Sequence, residues 1–314
     1  MAKIKVPLEL KANFLRDPEN FLRDIACIPT ESTRPFIKDR SKVEMVDRAS
    51  HENPFLEDKR AFKPGFGPSP ATGGYTRYMH IDLGLRKDAV GISMCHASHF
   101  VERQQVEIEA FGTKMANVRL PHVRFDFLGR VSAGKGEEIL LSDIREIVYQ
   151  IQQMGFYLGL ITFDGFQSVD SIQILRNQGF KVGRLSIDRT STKLILDKRS
   201  NTGDGLSRKS TEGQTMAAMQ ALKDALYDNR LSIPAHEYWK KEAIGAEIDY
   251  KKNKVDHKPR GTIDLLQSMA GSIYNLVNNE REYTNAEENM NKGLSDDYGD
   301  ELGFDDSYMY NIKN

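Results

Sequence analysis

The stretch whose reading decides the fold is Gly155–Asp164, GFYLGLITFD. Between its glycine and its aspartate the run is almost wholly apolar and too short for an ordinary helix, the pattern of a strand covered on both faces. Just ahead of it, Ser142 opens a segment with Ile144, Ile147, Val148 and Ile151 at helical spacing, closed by Gly155. A helix that delivers a doubly buried strand implies a crossover, which makes that strand parallel to its neighbour.

Upstream the period is two rather than 3.6. TRYMHIDLG from Thr76, AVGISMCH from Ala89 and VERQQVEIEAF from Val101 read as three strands of an antiparallel meander. ANVRLPHVRFDFLG, from Ala116, is a fourth candidate that extends the meander or covers its edge, with Pro121 arguing against a central position. Downstream, SVDSIQILRNQG reads as a helix, FKVGRLSI as a strand, and helices are expected at about 211–228, 236–247 and 262–278. The expected fold is therefore α/β: a mixed sheet in ribonuclease-H-like order, an antiparallel meander followed by parallel strands, with helices on both faces.

Residues 1–75 carry one apolar-periodic helix candidate (Phe14, Phe21, Leu22, Ile25) and end in KPGFGPSPATGG, whose Pro and Gly density reads as a linker. The expected organisation is a helical segment and linker over 1–75, a core over 76–279, and an acidic tail over 280–314. That tail holds ten acidic side chains against Arg281, Lys292 and Lys313 and reads as disordered. The whole chain carries −1, so removing the tail's −7 leaves +6 on residues 1–279, the sign that suits a phosphate backbone. No stretch approaches the length of an apolar membrane span, and MAKIKVPLEL lacks the apolar run of a signal peptide. Cys27 and Cys95 belong to no CxxC pair, so a disulfide framework or thiolate zinc site is not expected. Cys95, His96 and His99 lack the spacing of a zinc set. Trp239 is expected in a core or an interface rather than as a base-stacking platform.

The chemistry lies in three aspartates. Asp82 closes YMHI and Asp164 closes GLITF, so both interrupt apolar strands where an unpaired charge is costly. Carboxyl ends of adjacent parallel strands open onto the usual ligand crevice of such sheets. Asp264 falls in the first turn of the last helix if Thr262 is its N-cap. Each acid alone has an ordinary explanation as a turn former or an answer to a helix dipole. Together they suit hard cations, Mg²⁺ or Mn²⁺, and a pair of ions about 4 Å apart is suited to phosphodiester hydrolysis.

At these residues the chain resembles the nuclease domain of the large terminase subunit of tailed bacteriophages, the DNA-packaging motor. The resemblance rests on MHIDLGLRKDAVGISM, LITFDGFQSVDSIQILRNQGF, LSIDRTSTKLI and VDHKPRGTIDLLQSMAGSIYNL, spanning about Thr76 to Leu276. VPLELKANFLRDPENFLRDIACIPT is similar to the segment joining the motor's ATPase to its nuclease. The resemblance implies that Asp82, Asp164 and Asp264 are the catalytic, metal-binding acids, with Asp88 a further acid near the site and Asp256 another candidate ligand. It also brings in Gln167 and Ser168, which follow Asp164 and would orient the strand end or the substrate; a helix N-cap explains Ser168 as well. The implied activity is metal-dependent cutting of concatemeric double-stranded DNA with two Mg²⁺ or Mn²⁺ ions, in the cytoplasm of the bacterial host. The implied partners are DNA, an ATPase motor module, the small terminase subunit and the capsid portal, the last a candidate dock for the acidic tail.

GRVSAGKG, residues 129–136, is the nearest approach to a P-loop, but Gly136 stands where the Mg²⁺-holding hydroxyl belongs. It reads as a flexible turn, and no P-loop ATPase is expected in this chain. Phosphate contacts are expected from Lys198, Arg199, Arg208 and Lys209 in a Gly-rich loop and from Lys258 and Arg260 ahead of Asp264, without base-specific readout. Two other readings stay open: a free-standing ribonuclease-H-like junction resolvase or repair nuclease, and a catalytically silent DNA-binding assembly component.

Overall fold

The computed structural model describes residues 34–70, 72–83, 89–109, 112–133, 138–164, 168–187, 193–195, 216–249, 252, 254–257 and 261–279, together with Pro7, Leu10 and Lys11. The N-terminal helix candidate, Cys27, the 197–213 loop and the acidic tail lie outside these residues. In chain order come α1 (Arg40–Arg48), β1 (Phe55–Leu56), β2 (Ala61–Phe62), β3 (Arg77–Asp82), β4 (Ala89–Glu109), β5 (Gly112–Ser132), α2 (Leu141–Gln153), β6 (Leu158–Phe163) and α3 (Val169–Asn177). They are followed by β7 (Val182–Ser186), β8 (Lys193–Ile195), α4 (Ala217–Tyr227), β9 (Leu231–Ser232), α5 (Glu237–Gly245), β10 (Ala246–Asp249), β11 (Lys254–His257) and α6 (Asp264–Asn278).

The main sheet has the order β8-β7-β6-β3-β4-β5-β9. β3, β4 and β5 form the antiparallel meander, and β6 pairs parallel with β3 on its other side, as does β7 with β6. This is the ribonuclease-H-like arrangement. The doubly buried strand at 158–163 is central, and Gly155, at φ +91°, ends the helix before it.

The meander itself is built differently from the expectation. AVGISMCH and VERQQVEIEAF are one strand, the 21-residue β4, and the fourth candidate belongs to β5, its partner along the whole length. Ala97–Phe100 contains no Gly, Pro, Asn or Asp to turn the chain, and the local irregularity is absorbed as a register shift between Ala97 and His99. Pro121 pairs with Phe100 on one side, while β9 meets β5 only at Val123 and Arg124. Its missing N–H therefore falls where no second strand asks for one. Gly129–Ser132, the first half of the P-loop-like run, is strand rather than turn, and residues 134–137 lie outside the described ones.

Strand alternation sends side chains to two cores. Met79, Ile81, Ile92, Met94, Phe127, Ile161 and Phe163 meet α2 and α3 through Ile144, Ile147, Val148, Ile151, Ile172 and Leu175. Tyr78, Cys95, Leu128 and Leu160 face the other way, toward α1, α4, α5 and α6, with Trp239 fully buried among them. Residues ahead of Tyr75, assigned to the N-terminal segment and linker by sequence, contribute to both: Phe36, Val43 and Val46 to the second core and Phe55 to the first. Apolar side chains that follow Arg34 are the physical reason this stretch packs down.

Helix α6 crosses β3 and β4 on the second face, and small polar residues rather than large apolar ones line the crossing. The Ser268 hydroxyl donates to the His80 carbonyl (3.1 Å), Ser272 to that of Ser93 (3.0 Å), and the Asn275 amide to the Met79 carbonyl and the Thr162 hydroxyl (3.0 and 2.7 Å). Gly271 lies directly on His80, where a Cβ would come within 2.2 Å of the ring. The imidazole is fully buried, 2.7 Å from the Thr162 hydroxyl, and burial lowers its pKa from 6.5 to about 3.

Two stability measurements follow from this seating. Gly271→Ala is expected to cost about 1–3 kcal/mol by overpacking, read as a lower urea midpoint. His80 stays neutral when folded, so below about pH 6.5 the unfolded chain binds a proton that the folded chain refuses. Stability is then lost as pH falls from 6.5 toward 3, this group alone contributing a slope of about 1.4 kcal/mol per pH unit. Urea titrations across that range should show a shallower slope in His80→Gln.

Candidate active site

Asp82 is the last residue of β3 and is 9% exposed. Asp164 follows the last residue of β6, and its backbone N–H donates to the Ile81 carbonyl at 3.0 Å. Since Ile81 is in register with Phe163, one further step sets Asp164 beside Asp82. Alternation puts both on the face of His80 and Thr162, the α6 face. Both carboxylates thus reach one end and one face of the sheet because β3 and β6 are parallel neighbours.

Asp264 arrives from the opposite direction, as the first residue of α6. Gly91 of β4 is paired with Asp82 on one side and Arg130 on the other. A Cβ at Gly91 would lie 2.1 Å from the Asp264 carbonyl oxygen, so the first turn of the helix rests directly on that glycine. The cross-strand row Asp82, Gly91, Arg130 therefore carries Asp264 above its middle.

The helix is held there by Glu242 of α5, which is almost fully buried. One carboxylate oxygen accepts from the Thr262 hydroxyl (2.8 Å) and the other from the Leu266 N–H (2.9 Å), satisfying a donor of the first turn. Burial pushes the Glu242 pKa up, the bonds from Leu266 and Thr262 pull it down, and the neighbouring Asp264 charge raises it further. Thr262 is thus not the N-cap that the sequence suggested. Ile263 holds that position, and the threonine hydroxyl is turned to Glu242, because a buried carboxylate is the stronger acceptor.

Arg130 borders Asp264 on the other side, its Nη2 3.9 Å from Oδ2. Its guanidinium stacks 4.2 Å over the Tyr238 ring and donates to the Ser132 hydroxyl at 3.0 Å. Its backbone N–H donates to Glu57 Oε1 (2.7 Å), which also meets His236 Nε2 at 2.7 Å. Glu57, Gly91, Arg130 and Glu242 were not singled out from sequence. Gly91 alone left a signal, a glycine inside a strand pattern, which marks a close approach of other backbone.

The other expected residues separate. Asp256 lies on β11 of the separate β10–β11 hairpin, 2.5 Å from Lys254 Nζ. Partial burial opposes its charge, but the Lys254 bond and the His257 N–H outweigh this and hold its pKa below the ordinary value. Ser168 occupies the N-cap position of α3, buried and without a side-chain capping bond. Cys95 is buried and its thiol pKa is pushed well up by that burial, while His96 Nδ1 meets Asp126 at 2.9 Å. Asp88, Gln167, Lys198, Arg199, Arg208, Lys209, Lys258 and Arg260 lie outside the described residues.

Three carboxylates offering only oxygen suit a hard divalent cation in charge and donor type. They share an end and a face of the sheet, yet among the described residues no three acidic, imidazole or thiol groups are gathered tightly enough to enclose an ion. Among the same residues no helix is long and apolar enough to cross a membrane.

No family model matches the sequence, and comparison with curated proteins finds no match. Among solved structures, the chain is similar to the large terminase nuclease of thermophilic phage G20c with bound magnesium, at TM-score 0.44 and 12% identity, over 77% of this chain and 98% of that one. It is also similar to the large terminase nuclease domain of Thermus phage P74-26, at 0.43 and 11%, over 74% and 92%. The HK97 bacteriophage large terminase gives 0.41 and 15%, over 84% of this chain and 48% of that one. Likenesses of this size do not by themselves assign an activity.

Replacing Glu242 by Ala should cost about 1–3 kcal/mol by stranding the first turn of α6. The loss is expected in thermal unfolding without metal, and Glu242→Gln, which keeps one acceptor, should lose less.

Proposed function

We propose that this chain is a divalent-metal-dependent DNA endonuclease of the terminase type, with Asp82, Asp164 and Asp264 as its metal-holding carboxylates. The observation that carries this reading is the meeting of three separate sequence segments at one end and one face of the sheet: β3, β6 and the start of α6. Two of the three acids end central strands, where a charge is retained at a cost unless it has a cation to hold.

Asp82 and Asp164 are fixed by strand backbone, so the spacing of their Cα atoms is set by the sheet. Asp264 is the acidic residue of the first turn of α6, at the helix end that an acidic side chain suits. Asp88 and Asp256 are the further ligand candidates, and the ions of the reading are two Mg²⁺ or Mn²⁺. When bound, such ions generate the attacking water and stabilise the leaving oxygen of a phosphodiester. The +6 charge on residues 1–279 favours a duplex backbone, and Lys198, Arg199, Arg208, Lys209, Lys258 and Arg260 are its proposed contacts. Within a packaging motor the partners would be an ATPase module, a small subunit and the portal, with the work done in the host cytoplasm on concatemeric DNA.

Asp82→Asn, Asp164→Asn and Asp264→Asn should each reduce Mn²⁺-dependent nicking of plasmid DNA by about a hundredfold or more while leaving the circular-dichroism spectrum unchanged. Full activity in any one would remove that residue from the site. Equal cleavage of linear duplex and four-way junctions fits the packaging role; strong preference for junctions would favour a resolvase.

A further inference from the structure

We infer that the outer half of the β4–β5 pair is a docking arm whose open β4 edge, Val101–Glu109, pairs antiparallel with the same edge of a second copy of this chain.

The arm follows from the register. β3 is paired with β4 only over Gly91–Cys95, and β9 with β5 only at Val123 and Arg124. Among the described residues, the ladder from Phe100↔Pro121 to Glu109↔Gly112 has two strands and no third. At about 3.4 Å per residue this half is roughly 30 Å long, and it leaves the sheet at the end opposite Asp82, since β4 starts at the acidic end and runs away from it. Among the same residues no backbone hydrogen bond joins Val101–Glu109 to any segment other than β5, so a row of N–H and C=O groups is left open along β4. A two-stranded ladder is marginal in water, and a further strand is what stabilises it.

The two edges differ. β5 carries Lys114 toward its tip and Pro121 at its base, residue types that blunt an edge against pairing. The β4 run, VERQQVEIE, holds no Pro, Gly or Lys. Its charges suit a copy of itself: with two copies antiparallel and centred on Gln105, Arg103 of each stands opposite Glu107 of the other, and no like charges face. Opposed residues in an antiparallel pair share one hydrogen-bonding type, so the centre must fall on a residue rather than between two. Centring on Arg103 sets it against itself, centring on Gln104 leaves no opposite charges facing, and centring on Val106 drops Val101 and Glu102 from the pairing. Arg103 is exposed and donates from Nη2 to the Asp228 carbonyl at 2.9 Å, one bond among the five donors of a guanidinium.

Direction is set by the bodies. Arms laid side by side with tips together would bring the bodies within two strand spacings, about 10 Å, less than the width of a seven-stranded sheet. In the antiparallel arrangement the bodies lie at opposite ends of a four-stranded ribbon. Such an interface is isologous and closes at two copies.

Sedimentation equilibrium of the full-length protein should show a monomer–dimer equilibrium with dimer present at about 100 µM, as suits a small interface. Arg103→Glu sets glutamate against Glu107 twice, while its neighbour within the arm, Val118, is uncharged; it should weaken the dimer roughly tenfold or more. Arg103→Gln should fall between the two. Disulfide trapping reads the position: Gln105→Cys should form a disulfide-linked dimer on mild oxidation, and Met115→Cys, on β5, should not. A protein that stays monomeric up to about 100 µM, an unweakened dimer in Arg103→Glu, or no cross-link through Gln105→Cys overturns the inference. Each of these leaves the nuclease reading standing, because the arm and the acids are at opposite ends of β4.

Discussion

Helix α6 approaches β3 and β4 more closely than ordinary side chains permit, and the acidic end of the molecule depends on that approach. Gly91 on the sheet and Gly271 on the helix each remove a Cβ that would otherwise strike backbone or ring. The space gained is filled by Ser268, Ser272 and Asn275, whose hydrogen bonds to sheet carbonyls replace apolar contact. Dispersion and hydrogen bonding both weaken steeply with distance, so a helix seated this way has little freedom to slide. Asp264 inherits its position from that constraint.

The second fixed element is the pairing of β3 with β6. Parallel register makes the two strands end together, and it is this coincidence, rather than any property of the aspartates, that sets Asp82 and Asp164 side by side. Glu242 and Arg130 complete the arrangement from α5 and β5, one anchoring the first turn of α6, the other balancing charge beside it. Segments from β3, β5, β6, α5 and α6 therefore come together at one end of the sheet.

Residues 34–66 show how burial extends beyond what local composition advertises. Phe36, Val43 and Val46 enter one core and Phe55 the other, and Glu57 reaches the backbone of Arg130. A stretch that ends in Pro- and Gly-rich sequence thereby supports the face that carries the acids. The long β4–β5 pair departs from local expectation for the converse reason: charged, alternating residues such as VERQ resemble the start of a new strand, but without a turn-forming residue the chain simply continues.

The sequence by itself determined the alternation of strands and helices, the parallel entry of the doubly buried strand at 158–163, and the placement of Asp82 and Asp164 at strand ends. Those features are written in periodicity and in charge interrupting an apolar run, which are local. Only the tertiary structure decided that AVGISMCH and VERQQVEIEAF are one strand, that Thr262 serves Glu242 instead of capping α6, and that Gly91 seats Asp264 between Asp82 and Arg130. A register shift, a buried carboxylate's choice of donor and a glycine's contact with a helix some 170 residues away depend on packing between distant segments, and no window of sequence contains both partners.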